Sequence, residues 1–390
     1  MTDTIRRTGL RSLIAVLGLA PLAAPCEDRS ELSILLGEGA DAGFEKALQP
    51  RRFAFPADHG PHPGYRNEWW YLTGNLDTGS GRRFGYELTI FRFALTPGEP
   101  AKDSSWRSNQ VFISHFAVTD VAEQNFYVAE RYSRAALGLA GATSEPFKVW
   151  IEDWAMWNPA ADGTPLTAGD TERWRVRAGD EEIGLDLTLV AGGPPILNGI
   201  EGLSQKSAAP GNASYYYSVP RWTSEGTIRV RDNSYTVTGL SWLDREWSSS
   251  ALAADQQGWD WFALQLDDGS NLMFYNLRKA DGSQDDYSAG TWMDVDGRTL
   301  HLDRNDVQLS VTDFWNSPAG GRYPAGWHLH VPGEELRLTV TPVVADQELF
   351  TTVRYWEGAV DVTAERSGVT VGGRGYVELT GYADQLPSQD

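Results

Sequence analysis

The chain has 390 residues, of which 41% are hydrophobic, and it carries a formal net charge of −20 with an isoelectric point near 4.7. So acidic a chain would repel a phosphate backbone, which excludes nucleic acid as an expected partner. The length exceeds the roughly 100–200 residues of an ordinary domain and predicts two hydrophobic cores. The sequence also contains 16 Trp, 15 Tyr and 14 Phe, rings that suit packed sheets and the walls of an apolar pocket.

The first segment has the pattern of a secretory signal peptide. Three arginines within residues 1–11 precede a short apolar run, Ser12–Ala24, that ends in small residues. This run is shorter than the roughly 20 residues of a membrane-spanning helix. We therefore expect a signal peptide at residues 1–25, a linker at 26–50, and a protein exported to the periplasm or secreted.

The single cysteine, Cys26, directly follows this leader, so no intrachain disulfide can form. Its position also raises the alternative of a lipoprotein, acylated at Cys26 and tethered to a membrane, although Pro25 fits such a motif poorly. The sequence makes no prediction of the oligomeric state.

Beyond residue 50 the chain predicts β-structure throughout. Short runs of alternating or aromatic-rich residues are separated by Gly, Asp, Asn and Ser turns, a pattern typical of sandwiches and barrels. These runs include Glu68–Leu76, Phe84–Phe93, Val111–Thr119, Trp259–Leu266 and Asn271–Arg278.

A weak internal repeat indicates two units. Trp70–Arg92 and Asp260–Arg278 each consist of an aromatic strand, a turn containing Leu-Asp-x-Gly-Ser, and a second aromatic strand that ends in Arg. The polar stretch Gly202–Ser214 is the expected boundary. We predict an N-terminal domain at residues 51–210 and a C-terminal domain at residues 211–390.

A series of motifs is similar to the carotenoid 1,2-hydratase/AttH family of lipocalin-like proteins, over roughly residues 50–385. The motifs are HPGYRNEWWYLTGNL (62–76), SHFAVTD (114–120), GNASYYYSVPRW (211–222), GLSWLDREWSSSAL (239–252), GWDWFALQLDDG (258–269), YPAGWHLHVP (323–332), YWEGAV (355–360) and GYVELTGY (375–382). The resemblance implies two lipocalin-like β-barrel or sandwich domains and a lipophilic ligand near or between them. In the best-known branch it also implies addition of water to a terminal C=C of an acyclic carotenoid. A leader is unexpected for an enzyme of that pathway, which leaves the carotenoid itself open.

Strand parity selects the acids that face apolar neighbours. Side chains in a strand alternate between its two faces, so Glu68, Asp244, Glu246 and Asp260 each share a face with apolar residues. A carboxyl group in an apolar wall has its charged form disfavoured, so its pKa rises and it can act as an acid near neutral pH. These four residues are the predicted catalytic groups.

Hydration of an alkene also requires aromatic faces that stabilise a cation. The predicted ligand contacts are Trp69, Trp70, His115, Tyr217, Trp242, Trp259 and Trp261. The alternative for each acid is a structural ion pair with a nearby arginine such as Arg245 or Arg278. By the same logic we expect Glu357 and Glu378 to be structural.

No cofactor or metal is predicted. His328 and His330 alternate on one predicted strand, but a third ligand is not evident. The chain also lacks a G-x-S-x-G nucleophile motif and a P-loop or dinucleotide fingerprint. Three functions stay open: a hydratase acting on an isoprenoid-like ligand, a non-catalytic carrier of such a ligand, and a carbohydrate-binding module with exposed tryptophans.

Overall fold

The computed structural model describes residues 42–98, 104–163, 171–250 and 252–383. The predicted signal peptide, Cys26 and most of the predicted linker lie outside these residues. None of the helices in the described ranges has the length and apolar character needed to cross a membrane.

Twenty-three strands and three short 3-10 helices make up the regular structure of the described residues. The first sheet contains β1 (Asn67–Thr78), β2 (Arg83–Ala94), β3 (Gln110–Asp120), β4 (Asn125–Arg134), β5 (Ala140–Ser144), β6 (Phe147–Ile151), β7 (Trp154–Trp157), β8 (Arg173–Gly179), β9 (Ile183–Ala191), β10 (Ile196–Leu197), β11 (Leu203–Gln205), β12 (Ala213–Val230) and β13 (Asn233–Ser248). The second contains β14 (Gln256–Leu266), β15 (Asn271–Lys279), β16 (Ala289–Met293), β17 (Thr299–Asp303), β18 (Gln308–Asn316), β19 (Arg322–Val331), β20 (Leu336–Pro342), β21 (Glu348–Phe350), β22 (Arg354–Arg366) and β23 (Val369–Leu379). The 3-10 helices are Ala57–His59, Pro159–Asp162 and Pro332–Glu334.

The prediction of an all-β protein built from two lipocalin-like units is confirmed. The first sheet, ordered β4-β3-β2-β1-β13-β12-β9-β8-β7-β6-β5, forms a nearly closed barrel, and the second, ordered β17-β16-β15-β14-β23-β22-β20-β19-β18, forms half a barrel. The chain passes from one sheet to the other between Ser248 and Gln256. The segment Gly202–Ser214, the predicted boundary, instead contributes β11 and the start of β12 to the first sheet.

Four apolar clusters follow from the alternation of side chains along these strands, and the smallest lies around Leu349 and Tyr355. One fills the first sheet and contains Trp70 and Trp247, and another lies on the concave side of the second sheet around Trp327. The third lies where the two sheets face each other and includes Tyr216 and Trp261. Both faces of the central strands are therefore buried, which explains why their sequences are almost continuously apolar or aromatic.

The buried face of β1 inside the first sheet carries an ion-pair network. Glu68 is fully buried and accepts hydrogen bonds from Arg92 Nε, Arg245 Nη2 and the backbone N–H of His62. Burial alone would raise the pKa of Glu68, but the guanidinium groups of Arg92 and Arg245 hold it well below its usual range. The expectation of a raised pKa at Glu68 is therefore wrong, because parity identifies a buried face but not the arginines on it.

We predict that Glu68→Gln lowers the free energy of unfolding by about 3–5 kcal/mol, because the change leaves buried guanidinium charge without its partner. The folded-state pKa lies below the unfolded value of 4.5, so the stabilisation is complete above that pH and is lost as the pH falls. Urea unfolding should show a large difference from wild type at pH 7 that shrinks towards pH 3. Glu225→Gln, an exposed position on β12, is the matched control and should change little. Equal stability of Glu68→Gln and wild type at pH 7 would contradict the prediction.

Candidate active site between the sheets

A cavity of about 140 Å³ lies between the two sheets, and we call it the inter-sheet cavity. Strands β1, β2, β3, β12 and β13 supply one wall, and β14, β15, β22 and β23 supply the other. Its rings come from Trp69, Tyr71, Phe91, Phe93, His115, Tyr216, Trp259, Trp261, Tyr275 and Tyr355. An apolar cavity of roughly 150 Å³ accommodates benzene, so this one suits a small unsaturated hydrocarbon group.

Asp244 on β13 lies in the wall of this cavity and is almost fully buried. Its carboxyl group accepts hydrogen bonds from the hydroxyls of Tyr216 and Ser218 and from Trp242 Nε1, the last at 2.7 Å. Trp261 Nε1 on the opposite sheet donates to the Tyr216 hydroxyl at 3.1 Å. Burial raises the pKa of Asp244 to about 7 despite these donors. Asp244 can therefore hold or release a proton near neutral pH.

Glu246 is the next acid on the same face of β13, and its environment differs from that of Asp244. It accepts a hydrogen bond from Ser214 Oγ and forms an ion pair with Lys206 at 3.2 Å. Lys206 also lies 3.9 Å from the ring centre of Tyr275. Burial alone would lower the pKa of Lys206, but Glu246 and Tyr275 raise it. The Glu246–Lys206 pair is therefore better suited to contacting a ligand or stabilising the fold than to donating a proton.

Two further acids line the cavity from the second sheet. Glu378 on β23 is directly opposite Glu357 on β22 and, on its other side, opposite Trp261 on β14. Burial raises the pKa of Glu378 to about 8, with the nearby Asp244 adding to the effect, so Glu378 is protonated at neutral pH. Burial also raises the pKa of Glu357 well above its usual range, although the Tyr71 hydroxyl donates to it.

His115 on β3 closes one side of the cavity within a hydrogen-bonded chain. Its Nδ1 lies 2.7 Å from the Tyr355 hydroxyl and its Nε2 lies 3.0 Å from Glu130. Burial acts to raise the pKa of Glu130, but hydrogen bonds from His115, Tyr132 and the Thr352 N–H lower it to about 2. The Glu130 carboxylate therefore orients the imidazole, which leaves Nδ1 towards Tyr355.

The structure brings six of the predicted site residues together around the cavity: Asp244, Glu246, Trp69, His115, Trp259 and Trp261. Trp242, two residues before Asp244 on the same face of β13, donates a hydrogen bond to it. Glu68, Trp70 and Tyr217 lie instead in the first core, on the opposite face of β1 and β12. The Tyr217 hydroxyl is 2.6 Å from His59 Nδ1, and Trp70 donates to the His59 carbonyl.

Asp260 also lies away from the cavity. It faces the second core, where it pairs with Arg278 Nε at 3.0 Å and accepts from Asn276 and the Tyr382 hydroxyl. The structural ion pair that the sequence offered as the alternative is thus the arrangement observed for both Glu68 and Asp260. Parity could not separate the two buried faces, because each is apolar along the whole strand.

Sequence reasoning missed the contribution of Glu378, Glu357 and Tyr216 to this site. Glu357 and Glu378 were expected to be structural, yet both line the inter-sheet cavity. A signal was available, since each acid lies in a motif two residues from a tyrosine on the same strand face, Tyr355 before Glu357 and Tyr376 before Glu378. Which sheet face meets the other sheet cannot be derived from parity alone.

Two other features bear on the open alternatives. In the four described ranges no three His, Cys, Asp or Glu side chains come together in an arrangement that could hold a metal ion. Trp106 is the one exposed tryptophan, whereas the other fifteen are buried or half-buried. An exposed platform of tryptophans for carbohydrate binding is therefore not present in the described residues.

We predict that Asp244→Asn changes how stability depends on pH. The folded pKa of about 7 lies above the unfolded value of 3.8, so the unfolded chain loses its proton first as the pH rises. The carboxyl group thus costs stability progressively between pH 4 and pH 7, by at most about 4 kcal/mol. In urea unfolding, Asp244→Asn should gain stability relative to wild type over this range, whereas Glu225→Gln should track wild type. A difference between Asp244→Asn and wild type that is independent of pH would contradict this.

Comparison with known proteins shows the family of the chain. The model of the AttH-like family matches residues 46–382. A Nitrosomonas europaea protein described as an AttH is 32% identical, with a TM-score of 0.75 over 87% of this chain and 100% of that one. Kievitone hydratase from Nectria haematococca has the same fold at 14% identity, with a TM-score of 0.64 over 87% of this chain and 98% of its own.

A second match is by sequence. Kievitone hydratase of Fusarium solani subsp. phaseoli is 22% identical over 237 residues, which cover 55% of this chain and 61% of that protein's length. The aligned part thus spans about three fifths of this relative. Because the family model covers most of the sequence and the Nitrosomonas protein is matched along its whole length, the chain belongs to the AttH-like family.

Proposed function

We propose that this protein is a hydratase that adds water to an electron-rich C=C of a lipophilic, isoprenoid-like ligand bound in the inter-sheet cavity. The observation that carries the proposal is a set of carboxyl groups kept neutral beside aromatic rings. Burial raises the pKa of Asp244 to about 7 and that of Glu378 to about 8. A neutral carboxylic acid in an apolar cavity is the group that protonation of an alkene needs.

Asp244 is the proton donor in this proposal. Its proton would pass to the less substituted carbon of the double bond, directly or through the Tyr216 hydroxyl that hydrogen-bonds it. The carbon left positive is stabilised by the faces of neighbouring indoles, for which Trp69, Trp259 and Trp261 are in place. A water molecule then forms the C–O bond, and the proton it loses restores the acid. The net change is addition of one water.

The cavity also supports a ligand class. Its volume of about 140 Å³ is sufficient for the end of a prenyl chain but not for a whole polyene, so the remainder of a long ligand would extend outwards. Seven lining residues are half-buried and so mark the side from which a chain could enter: Trp69, Phe91, Lys206, Ser250, Leu252, Trp259 and Glu378. The kievitone hydratase relative makes prenylated phenols one class to test, and acyclic carotenoids are the other.

Turnover should depend on the two acids and on pH. We predict that Asp244→Asn and Glu378→Gln each reduce hydration by at least about 100-fold, since each removes a proton donor. In the wild type, activity should fall as the pH rises through 7 to 8, because the donors ionise. The measurement is incubation of the purified protein with lycopene or kievitone in oxygen-18 water, followed by mass spectrometry for labelled alcohol.

Glu225→Gln is the matched control, because it removes an exposed acid on β12 far from any described site residue, and it should retain wild-type turnover. If both probes bind to the wild type but neither gains oxygen-18 at any pH, the hydratase proposal fails. That outcome would favour the alternative of a carrier that holds a lipophilic ligand without chemistry.

We further propose that the protein is exported, on the basis of the leader-like residues 1–25, with acylation at Cys26 as a variant of this proposal. Fractionation of a producing bacterium and intact-mass measurement of the mature protein test both points. A cytoplasmic protein that retains residues 1–25 would contradict export.

A further inference from the structure

A second group of polar side chains lies at the inner end of the inter-sheet cavity. It consists of Glu87 and Thr89 on β2, Glu357 on β22 and Tyr376 on β23, and we call it the inner cluster. All four are almost completely shielded from solvent, with exposed fractions between 0% and 2%. Thr89 and Glu357 line the cavity, so the inner cluster adjoins the space proposed for the ligand.

The inner cluster contains oxygens that lack a hydrogen bond of normal geometry. They are both carboxyl oxygens of Glu87, Oε2 of Glu357, the hydroxyl of Tyr376 and the hydroxyl of Thr89, although Thr89 lies close to Glu87, Tyr355 to Glu357 and Thr119 to Tyr376. Buried polar atoms are nearly always satisfied, and leaving one unsatisfied costs about 1–3 kcal/mol. Several such oxygens lie on facing strands of the two sheets, which indicates that a single bound polar molecule hydrogen-bonds to them.

The backbone shows that these groups converge. Gly85 precedes Glu87 on the same face of β2, and a Cβ atom at Gly85 would lie 2.8 Å from the Tyr376 hydroxyl and 2.7 Å from the Cβ of Ala359. The two sheets therefore approach closely here, and only glycine leaves room for the tyrosine hydroxyl. Glu357, two residues before Ala359 on the same face of β22, consequently faces the region of Glu87.

The chemistry of these groups identifies the occupant. Burial raises the pKa of both Glu87 and Glu357 well above the usual range, which favours the neutral form of each. Two neutral carboxyls and two hydroxyls offer both donors and acceptors, which is what a water molecule with two to four partners requires. A bound cation would instead need ionised carboxylates.

We propose that the inner cluster binds the water molecule that attacks the ligand, with Glu87 and Glu357 as its principal partners. This inference rests on the proposed hydratase function. Asp244 gives its proton to the alkene and becomes a carboxylate, and the water oxygen forms the C–O bond with the cation. The proton released by the water returns to Asp244 through Glu378, which neighbours Glu357 on one side and Trp261 on the other. One water is consumed and every carboxyl regains its starting state.

A first experiment needs no ligand. High-resolution crystal structures of the wild type and of Glu87→Leu should show an ordered water bound to Glu87 and Glu357 in the wild type, which is lost in the variant. Direct contact between the two carboxyl groups, sharing a proton with no water between or beside them, would overturn the proposal.

A second experiment separates water capture from alkene protonation. With kievitone or lycopene in deuterium oxide, protonation without capture returns a deuterium-labelled alkene, whereas capture yields a labelled alcohol. Glu87→Leu and the milder Tyr376→Phe should keep deuterium incorporation within about threefold of wild type while the ratio of alcohol to labelled alkene falls at least tenfold. An unchanged ratio in both variants would overturn the water site.

The two proposals fail in different ways. If the wild type incorporates neither deuterium nor oxygen, the hydratase function fails, and the electron density still decides whether the inner cluster binds water. If deuterium enters but the ratio does not respond to Glu87 or Tyr376, the acid chemistry stands and the proposed water position is wrong.

Discussion

Exclusion of bulk solvent from the carboxyl groups between the two sheets is the interaction on which the site depends. A carboxyl in bulk water would be ionised at neutral pH and could not protonate an alkene. Here two sheets cover each other with aromatic side chains, and the resulting burial favours the neutral form of Asp244, Glu357 and Glu378. The chemistry proposed for the site is thus a consequence of how the sheets pack, and no single residue could supply it alone.

The first sheet supports this arrangement from its other side. Glu68 between Arg92 and Arg245 joins β1, β2 and β13, the strands that carry Trp69, Phe91 and Asp244 on the cavity face. Acids on alternate faces of the same strands therefore have opposite electrostatic surroundings. Inside the barrel a carboxylate is paired with guanidinium groups and stays charged. Across the sheet, Asp244 instead accepts hydrogen bonds from the neutral groups of Tyr216, Ser218 and Trp242.

The sequence was sufficient to predict the fold class and the family. Strand periods along Glu68–Leu76 and Trp259–Leu266 were informative, since β1 and β14 occupy these segments. Parity correctly grouped Asp244 with Glu246, but it also selected Glu68 and Asp260, which face the arginine-containing cores. A strand buried on both faces offers no contrast in hydrophobicity by which to choose between them. The role of Glu378 depends on its position opposite Glu357 and Trp261, a long-range pairing that a local pattern does not contain.

The hydrogen bond from Trp261 to Tyr216 has a consequence for how the acid site forms. It joins the second sheet to the residue that holds Asp244 in the first, so this acid system is complete only when both sheets are in place. Until β14 and β23 cover β13, Asp244 is an ordinary solvated aspartate with no capacity to protonate a hydrocarbon. The acid proposed here therefore forms only in the fully folded protein. Mutations that loosen the packing between the two sheets should abolish its activity even when they leave Asp244 and its hydrogen-bond partners unchanged.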